Sequence, residues 1–226
     1  MVDLDLRGVE FEASNFGERS RILSYGWEPD YLAAMLAALR SDDVLYDIGA
    51  NVGLVALHAA RICQTIAFEP DPAFLSRLQR NVQLNPELHV KVLPTAIGDA
   101  VGEAKLFTDG HGGNSPSLVH QRGERGEAKV AVTTLDTLVE AGTLPEPTVV
   151  KLDIEGAEIL ALRGARQLLE GPRPPRALFL EVHGSFLSGF GSSAEEVMGL
   201  VRQAGYDRVG YEAHRSNEHH LILERH

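Results

Sequence analysis

Residues 44–47 form a short apolar run that ends in the glycine turn DIGANVG at 47–53. Helical periodicity follows at once: Leu54, Leu57, His58 and Ile62 fall near i, i+3, i+4 and i+8. A strand, a glycine turn and a helix in that order make the opening of a βα unit. In sheets built from such units, ligands bind beyond the carboxyl ends of the strands, where the strand order reverses. Gly49 and Gly53 permit a tight turn and a close ligand approach. The helix start offers unpaired backbone N–H groups.

The rest of the chain extends this pattern. Residues 2–12 and 19–24 read as short strands or a hairpin ahead of the domain, and Pro29 opens a helix to about residue 40. TIAFE at 65–69 is a second strand, stopped by Pro70, and Asp71 caps a helix to about residue 84. Strands follow at 90–93, at 149 onward in VVKLDIEGAE, and at 177–182. Helices are expected at 136–141, 157–169 and, capped by Ser193, up to about 204. Two more strands close the chain without a helix between them and pair antiparallel at one edge. Strands alternating with helices imply an α/β fold with a mostly parallel sheet covered on both faces. KLFTD and KVAVTTL form an antiparallel excursion around a long polar loop. The expected organisation is an N-terminal extension at 1–26 and one domain at 27–226, with an insertion at 102–134.

Composition narrows the function. Of 226 residues, 32 are acidic and 21 basic, a net charge of -11. That balance argues against nucleic acid as the partner. Arg122, Arg125 and Lys129 form the one candidate basic cluster before the C-terminal third. The single cysteine, Cys63, excludes an internal disulfide and a cysteine-based zinc site, and reads as a small core residue. No stretch approaches the ~20 apolar residues of a membrane span. No signal peptide is read at the N-terminus, and a cytoplasmic protein is expected.

The turn separates two kinds of nucleotide. A dinucleotide site wants G-x-G-x-x-G, and the order here is G-x-x-x-G. Asp47 stands where it would repel a pyrophosphate but attract an ammonium group. Glu69, ending the second strand, is placed to accept hydrogen bonds from a ribose diol. One acid for an amine and one for a ribose, with no base for phosphate, describe S-adenosylmethionine better than NAD.

DIGANVG, AFEPDP, NVQLN, AIGD, GNSPSL, TTLDTL, VKLDIEGAE and LEVHG stand in this order along the chain. In that series the chain resembles FkbM-type S-adenosylmethionine-dependent methyltransferases, from about residue 27 to 205. The resemblance implies a Rossmann-like class I fold, a seven-stranded mostly parallel sheet with an antiparallel edge strand. It also implies O-methylation of small molecules or sugars. By position it implies that Asp47, Gly49, Ala50, Asn51 and Gly53 line the methionine part of the cofactor. Glu69 and Pro70 would flank the ribose, and Asp99 would lie near the adenine. Asp99 reads equally well as a turn residue. Glu28 reads as a helix cap or a solvated side chain, with the cofactor in reach as the lesser possibility.

Methyl transfer from a sulfonium needs an oriented acceptor and a place for its proton. The candidates are Asp153 and Glu155 after the fourth strand, and Glu181 and His183 at the fifth. If the strand stays regular, Lys151, Asp153 and Glu155 share one side. A charged triplet in an apolar strand is costly unless paired, and a carboxylate partner would explain Lys151. Glu155 could equally cap the next helix. His183, with its ordinary pKa near ~6.5, is the natural general base. A divalent metal on Asp153, Glu181 and His183 is a second possibility, ranked below metal-free catalysis. Asn114, Ser115 and Ser117 in GHGGNSPSL are read as parts of a lid over the acceptor. His111 and His120 flank that loop, while His214, His219, His220 and His226 read as edge-strand and tail residues. The competing readings are a methyltransferase for RNA or protein, and a cofactor-binding module without catalysis. The acceptor and the oligomeric state are not legible.

Overall fold

The computed structural model describes residues 2–5, 8–13, 16–24, 28–108, 117–118, 126–215 and 218–225. The central sheet contains β3 (Val44–Ile48), β4 (Gln64–Phe68), β5 (Val90–Leu93), β9 (Val149–Leu152), β10 (Ala177–His183), β11 (Tyr206–Arg215) and β12 (Glu218–Arg225). Their order is β11-β12-β10-β9-β3-β4-β5. β5, β4, β3, β9 and β10 pair in parallel, and β12 runs antiparallel to both its neighbours. The reversed strand is therefore the inner member of the edge pair, and β11 outside it runs with the parallel strands. The order switches direction between β3 and β9, which fixes where a ligand crevice opens.

Alternation along the parallel strands loads both faces. Tyr46, Ile48, Val150, Leu152, Leu178, Leu180 and Val182 form the core beneath α6 (Glu158–Arg163), α7 (Arg166–Glu170) and α9 (Ala194–Gln203). On the opposite face Leu45, Val149, Ala177 and Phe179 pack against Tyr31, Leu32, Met35 and Leu39 at α2 (Pro29–Ala38). Cys63 belongs to that second core. α3 (Leu54–Ala59) follows the glycine turn, and α4 (Pro72–Leu84) is capped by Asp71, whose side chain accepts from the N–H groups of Ala73 and Phe74. α5 is Leu135–Glu140, and α8, a single turn at Gly184–Leu187, was not expected from the sequence.

A small second sheet has the order β6-β8-β7, from Ala96–Ile97, Gly126–Thr133 and Gly102–Thr108. At the N-terminus β1 (Val2–Asp5) pairs antiparallel with β2 (Glu10–Ala13). β2 is held on α4 by amide side chains: Asn85 and Asn81 accept from the N–H groups of Glu10 and Glu12, both at 2.8 Å.

Two local expectations fail for readable reasons. The strand expected at 19–24 is instead part of helix α1 (Phe16–Leu23). Its buried residues, Glu18 and Ile22, are four apart, and Glu18 lies 3.6 Å from Arg77. The single helix expected at 157–169 breaks into α6 and α7 around Gly164. A Cβ there would come within 2.0 Å of the Gly98 carbonyl oxygen, so the chains touch backbone to backbone. Asp136 then accepts from the N–H groups of Gln167 and Leu168, at 3.0 and 2.8 Å, and starts α7 afresh.

Candidate active site

A cleft enclosing about 610 Å³, open to solvent, lies over the tips of β3, β4 and β9. One wall is Ile48, Gly49, Asn51, Glu69 and Pro70; another is Asp153, Ile154, Glu155 and Ala157. Thr95, Ala96, Ile97, Leu106 and Leu118 close the apolar end. Among the described residues the lining includes three carboxyl groups, those of Glu69, Asp153 and Glu155, and no basic side chain.

The glycine turn owes its shape to close packing. Gly49 has φ +80, and a Cβ on it would lie 1.9 Å from the Asp153 carbonyl oxygen. Two strand ends therefore meet there with no room for a side chain. Gly49→Ala is expected to cost about 2–4 kcal/mol of stability, since a left-handed Cβ and a backbone clash act together. Chemical denaturation would check this, and a loss below about 1 kcal/mol would contradict the packing argument. Gly53, at φ +93, is needed for a different reason: its Cβ would strike Leu78 on α4 at 2.6 Å. Gly53 and Ala50 are buried in packing and do not line the cleft.

Glu69 is 4% exposed and accepts from the N–H groups of Asn51, at 2.7 Å, and Asp71, at 2.9 Å. Burial pushes its carboxyl up to about 8, against those two hydrogen bonds. Each oxygen keeps acceptor capacity toward the cleft.

Asp47 differs from the expectation. It is 0% exposed and sits beneath the turn, not in the cleft. Its Oδ1 lies 3.0 Å from Lys151 Nζ, which also approaches Asp153 Oδ2 at 3.3 Å and donates to the Gly49 carbonyl at 3.3 Å. The strand register pairs Asp47 directly with Lys151, and the low dielectric brings them together. Burial works against the Lys151 ammonium, but the charges of Asp47 and Asp153 outweigh it and its pKa is raised. Asp47 thus secures the turn through Lys151.

β9 ends at Leu152, so the strand does not stay regular through Glu155, which adopts φ 52. Asp153 is left at the rim with its side chain 31% exposed. Burial and the Glu181 charge push its carboxyl up to about 7, against Lys151 and His183. Glu155 does not cap the following helix, whose cap residue is Ala157. Glu158 instead accepts from the N–H groups of Gly156, at 3.1 Å, and Ile154, at 3.4 Å.

His183 is 3% exposed and ringed by acids. Its Nδ1 is 2.9 Å from Glu158 Oε1, and its Nε2 is 3.3 Å from Glu181 and 3.6 Å from Glu155. Burial disfavours the imidazolium, yet the hydrogen bonds to Glu158 and Glu181 raise its pKa to about 12. The surrounding carboxylates thus favour the protonated ring. Glu181 is lowered: burial opposes ionisation, but His183 and His220 favour it more strongly.

Other expected residues fall elsewhere. Asp99 is exposed and lies beyond the cleft wall, against Gly164. Ser117 is buried and pinned, exchanging main-chain hydrogen bonds with Phe107 and donating through Oγ to the Glu155 carbonyl at 3.3 Å. Asn114, Ser115, His111, His120, Arg122 and Arg125 lie outside the described residues. Sequence reasoning missed Glu158, which is 0% exposed, and placed His220 on an edge. The glutamate five residues after Asp153 in DIEGAE was the available signal for the first. Nothing local marked the second.

The strand order and the crevice at its switch point define a class I, Rossmann-like methyltransferase fold. The chain belongs to the family of the methyltransferase FkbM domain, whose profile matches residues 47–208. It is 30% identical over 165 residues to the hexuronic acid methyltransferase AglP of Haloferax volcanii, covering 72% of this chain and 66% of that protein. It is 30% identical over 162 residues to methyltransferase sdnD of Sordaria araneosa, covering 57% and 62%. The chain thus spans between 61% and 66% of the length of the curated relatives it matches. Among solved structures it resembles an FkbM methyltransferase from Methylobacillus flagellatus KT, with TM-score 0.53 and 18% identity over 93% of this chain and 55% of that one. Magnesium protoporphyrin IX methyltransferase from Synechocystis PCC 6803 gives TM-score 0.55 and 12% identity, covering 95% and 86%. Among the described residues no helix is long and apolar enough to cross a membrane.

Proposed function

We propose that this protein is an S-adenosylmethionine-dependent methyltransferase that O-methylates a hydroxyl of a sugar or small metabolite. One observation carries the reading: among the described residues, the cleft at the switch point is lined by three carboxyl groups and no basic side chain. A ligand with an ammonium and a sulfonium suits such a lining, and a pyrophosphate does not. The acid at the tip of β4 fits a ribose diol, and the apolar end at Thr95, Ala96, Ile97, Leu106 and Leu118 fits a purine ring. The family supports the cofactor, and the likeness to the hexuronic acid methyltransferase AglP supports a sugar acceptor.

Bound S-adenosylmethionine supplies a methyl already activated on sulfur. Glu69 would accept from the ribose hydroxyls. Asp47 and Lys151 hold the turn in shape. Asp153, raised toward neutrality and open to the cleft, takes the acceptor proton. His183 keeps Glu181, Glu155 and Glu158 in place and stabilises negative charge near Asp153. This reading needs no metal for proton removal.

Calorimetry on ligand-stripped protein tests the cofactor. S-adenosylmethionine and S-adenosylhomocysteine should both give saturable heats, and NAD should give none. Glu69→Ala should weaken both by about 10–100-fold, the worth of charge-assisted hydrogen bonds. No heat from either sulfur nucleoside would defeat the proposal. Binding without turnover across a broad panel of hydroxylated acceptors would favour a binding module.

A further inference from the structure

One strand beyond His183 the same sheet face carries a second polar cluster. Glu181 on β10 faces His220 on β12 directly across the antiparallel ladder, and His183 faces Glu218 in the next same-face pair. Glu28, just ahead of α2, closes the group from above, with Oε1 3.0 Å from His220 Nε2. Glu181 Oε1 lies 3.4 Å from the same nitrogen. One ligand atom from each of Glu28, Glu181, Glu218 and His220 lies within 4.8 Å of all the others. Three separate elements bring these four side chains together, so sequence proximity does not explain the cluster.

His220 is aimed into this group. It is 3% exposed and lies flat against Tyr31, centroids 4.9 Å apart and planes 7° apart. The Tyr31 hydroxyl is itself tied to the carbonyls of Leu180 and Leu221, at 3.0 and 3.1 Å. The ring is therefore fixed, yet its buried Nε2 has no aligned hydrogen-bond partner among the described residues. His183 Nε2 also meets Glu181 at 3.3 Å, so two imidazoles face three converging carboxylates.

We propose that Glu28, Glu181, Glu218 and His220 bind a divalent cation. Carboxylate oxygens with one imidazole nitrogen suit Mn²⁺ or a similar ion of intermediate hardness. Separations within 4.8 Å allow one centre at about 2.0–2.4 Å from each donor. The neighbouring trio of Asp153, Glu181 and His183 also converges, but it offers one donor fewer. Ion binding itself does not depend on the methyl-transfer reading.

Mn²⁺ titration of chelator-treated protein, followed by electron paramagnetic resonance, tests the site without cofactor or acceptor. Uptake of a single Mn²⁺ is expected, weakened about tenfold or more in Glu218→Gln and in His220→Ala. Circular dichroism would confirm that each variant is folded. Glu218→Gln is the conservative change and keeps the test valid if His220→Ala fails to fold. Asp153→Asn should bind Mn²⁺ as the parent does. No Mn²⁺ uptake would overturn the proposal and leave His220 as a bridging cation. Uptake lost in Asp153→Asn but retained in Glu218→Gln would overturn it in favour of the neighbouring trio.

Discussion

Lys151→Met is expected to lower the melting temperature by about 6–20 °C, the equivalent of about 3–5 kcal/mol in a chain of this size. The reason is the company Lys151 keeps. Asp47 is 0% exposed, and among the described residues neither of its oxygens has an aligned hydrogen bond. Its compensation is the ammonium 3.0 Å away. Removing that ammonium leaves a buried carboxylate that must take up a proton or unfold the turn. It also removes the hydrogen bond that Lys151 gives to Gly49. Asp47→Asn combined with Lys151→Met should recover a large part of the loss, because no unpaired charge remains. Thermal melts of the parent, both single variants and the double variant complete the cycle. A melting temperature for Lys151→Met within about 2 °C of the parent would contradict this account.

Asp153→Asn is expected to reduce turnover by about 10²–10⁴-fold while leaving cofactor affinity close to that of the parent. The amide keeps the shape and the position at the rim but cannot accept a proton. In the parent, activity should rise with pH through about 7, the value to which burial and Glu181 push this carboxyl. The sign follows from the role: the base works when ionised, so activity is lost as pH falls below that value. Steady-state kinetics across pH 5–9 with any competent hydroxylated acceptor would measure both. Turnover within about tenfold of the parent would place the base elsewhere. His183→Ala makes a useful contrast. It leaves Glu158, 0% exposed, without its imidazole partner, so its main effect should be on stability.

Much of the architecture was legible because it depends on local pattern. The apolar runs at β3, β4, β9 and β10 and the glycine turn at 47–53 each sit where the sequence implies. So do the caps Asp71 and Ser193, whose side chains accept from backbone N–H groups at their own helix starts. These features involve residues close in sequence, and their physics is settled over a few positions. The two misread segments are those where distant residues intervene, Arg77 for α1 and Gly98 with Asp136 for the break before α7.

The site divides along the same line. Sequence by itself determined the sheet, the turn and the set of acids at the strand tips, because strand period and turn chemistry are local rules. Only tertiary structure decided which partners each acid meets. Register across β3 and β9 set Asp47 on Lys151 and took it out of the cleft. Register across β10 and β12 set Glu181 on His220, and α2 brought Glu28 to them. Ionisation in a buried cluster depends on every charge within a few ångströms, from whatever part of the chain it comes. Residue spacing carries no record of those distances, and so the charges that meet Asp153 and His183 could not be read before the strands were paired.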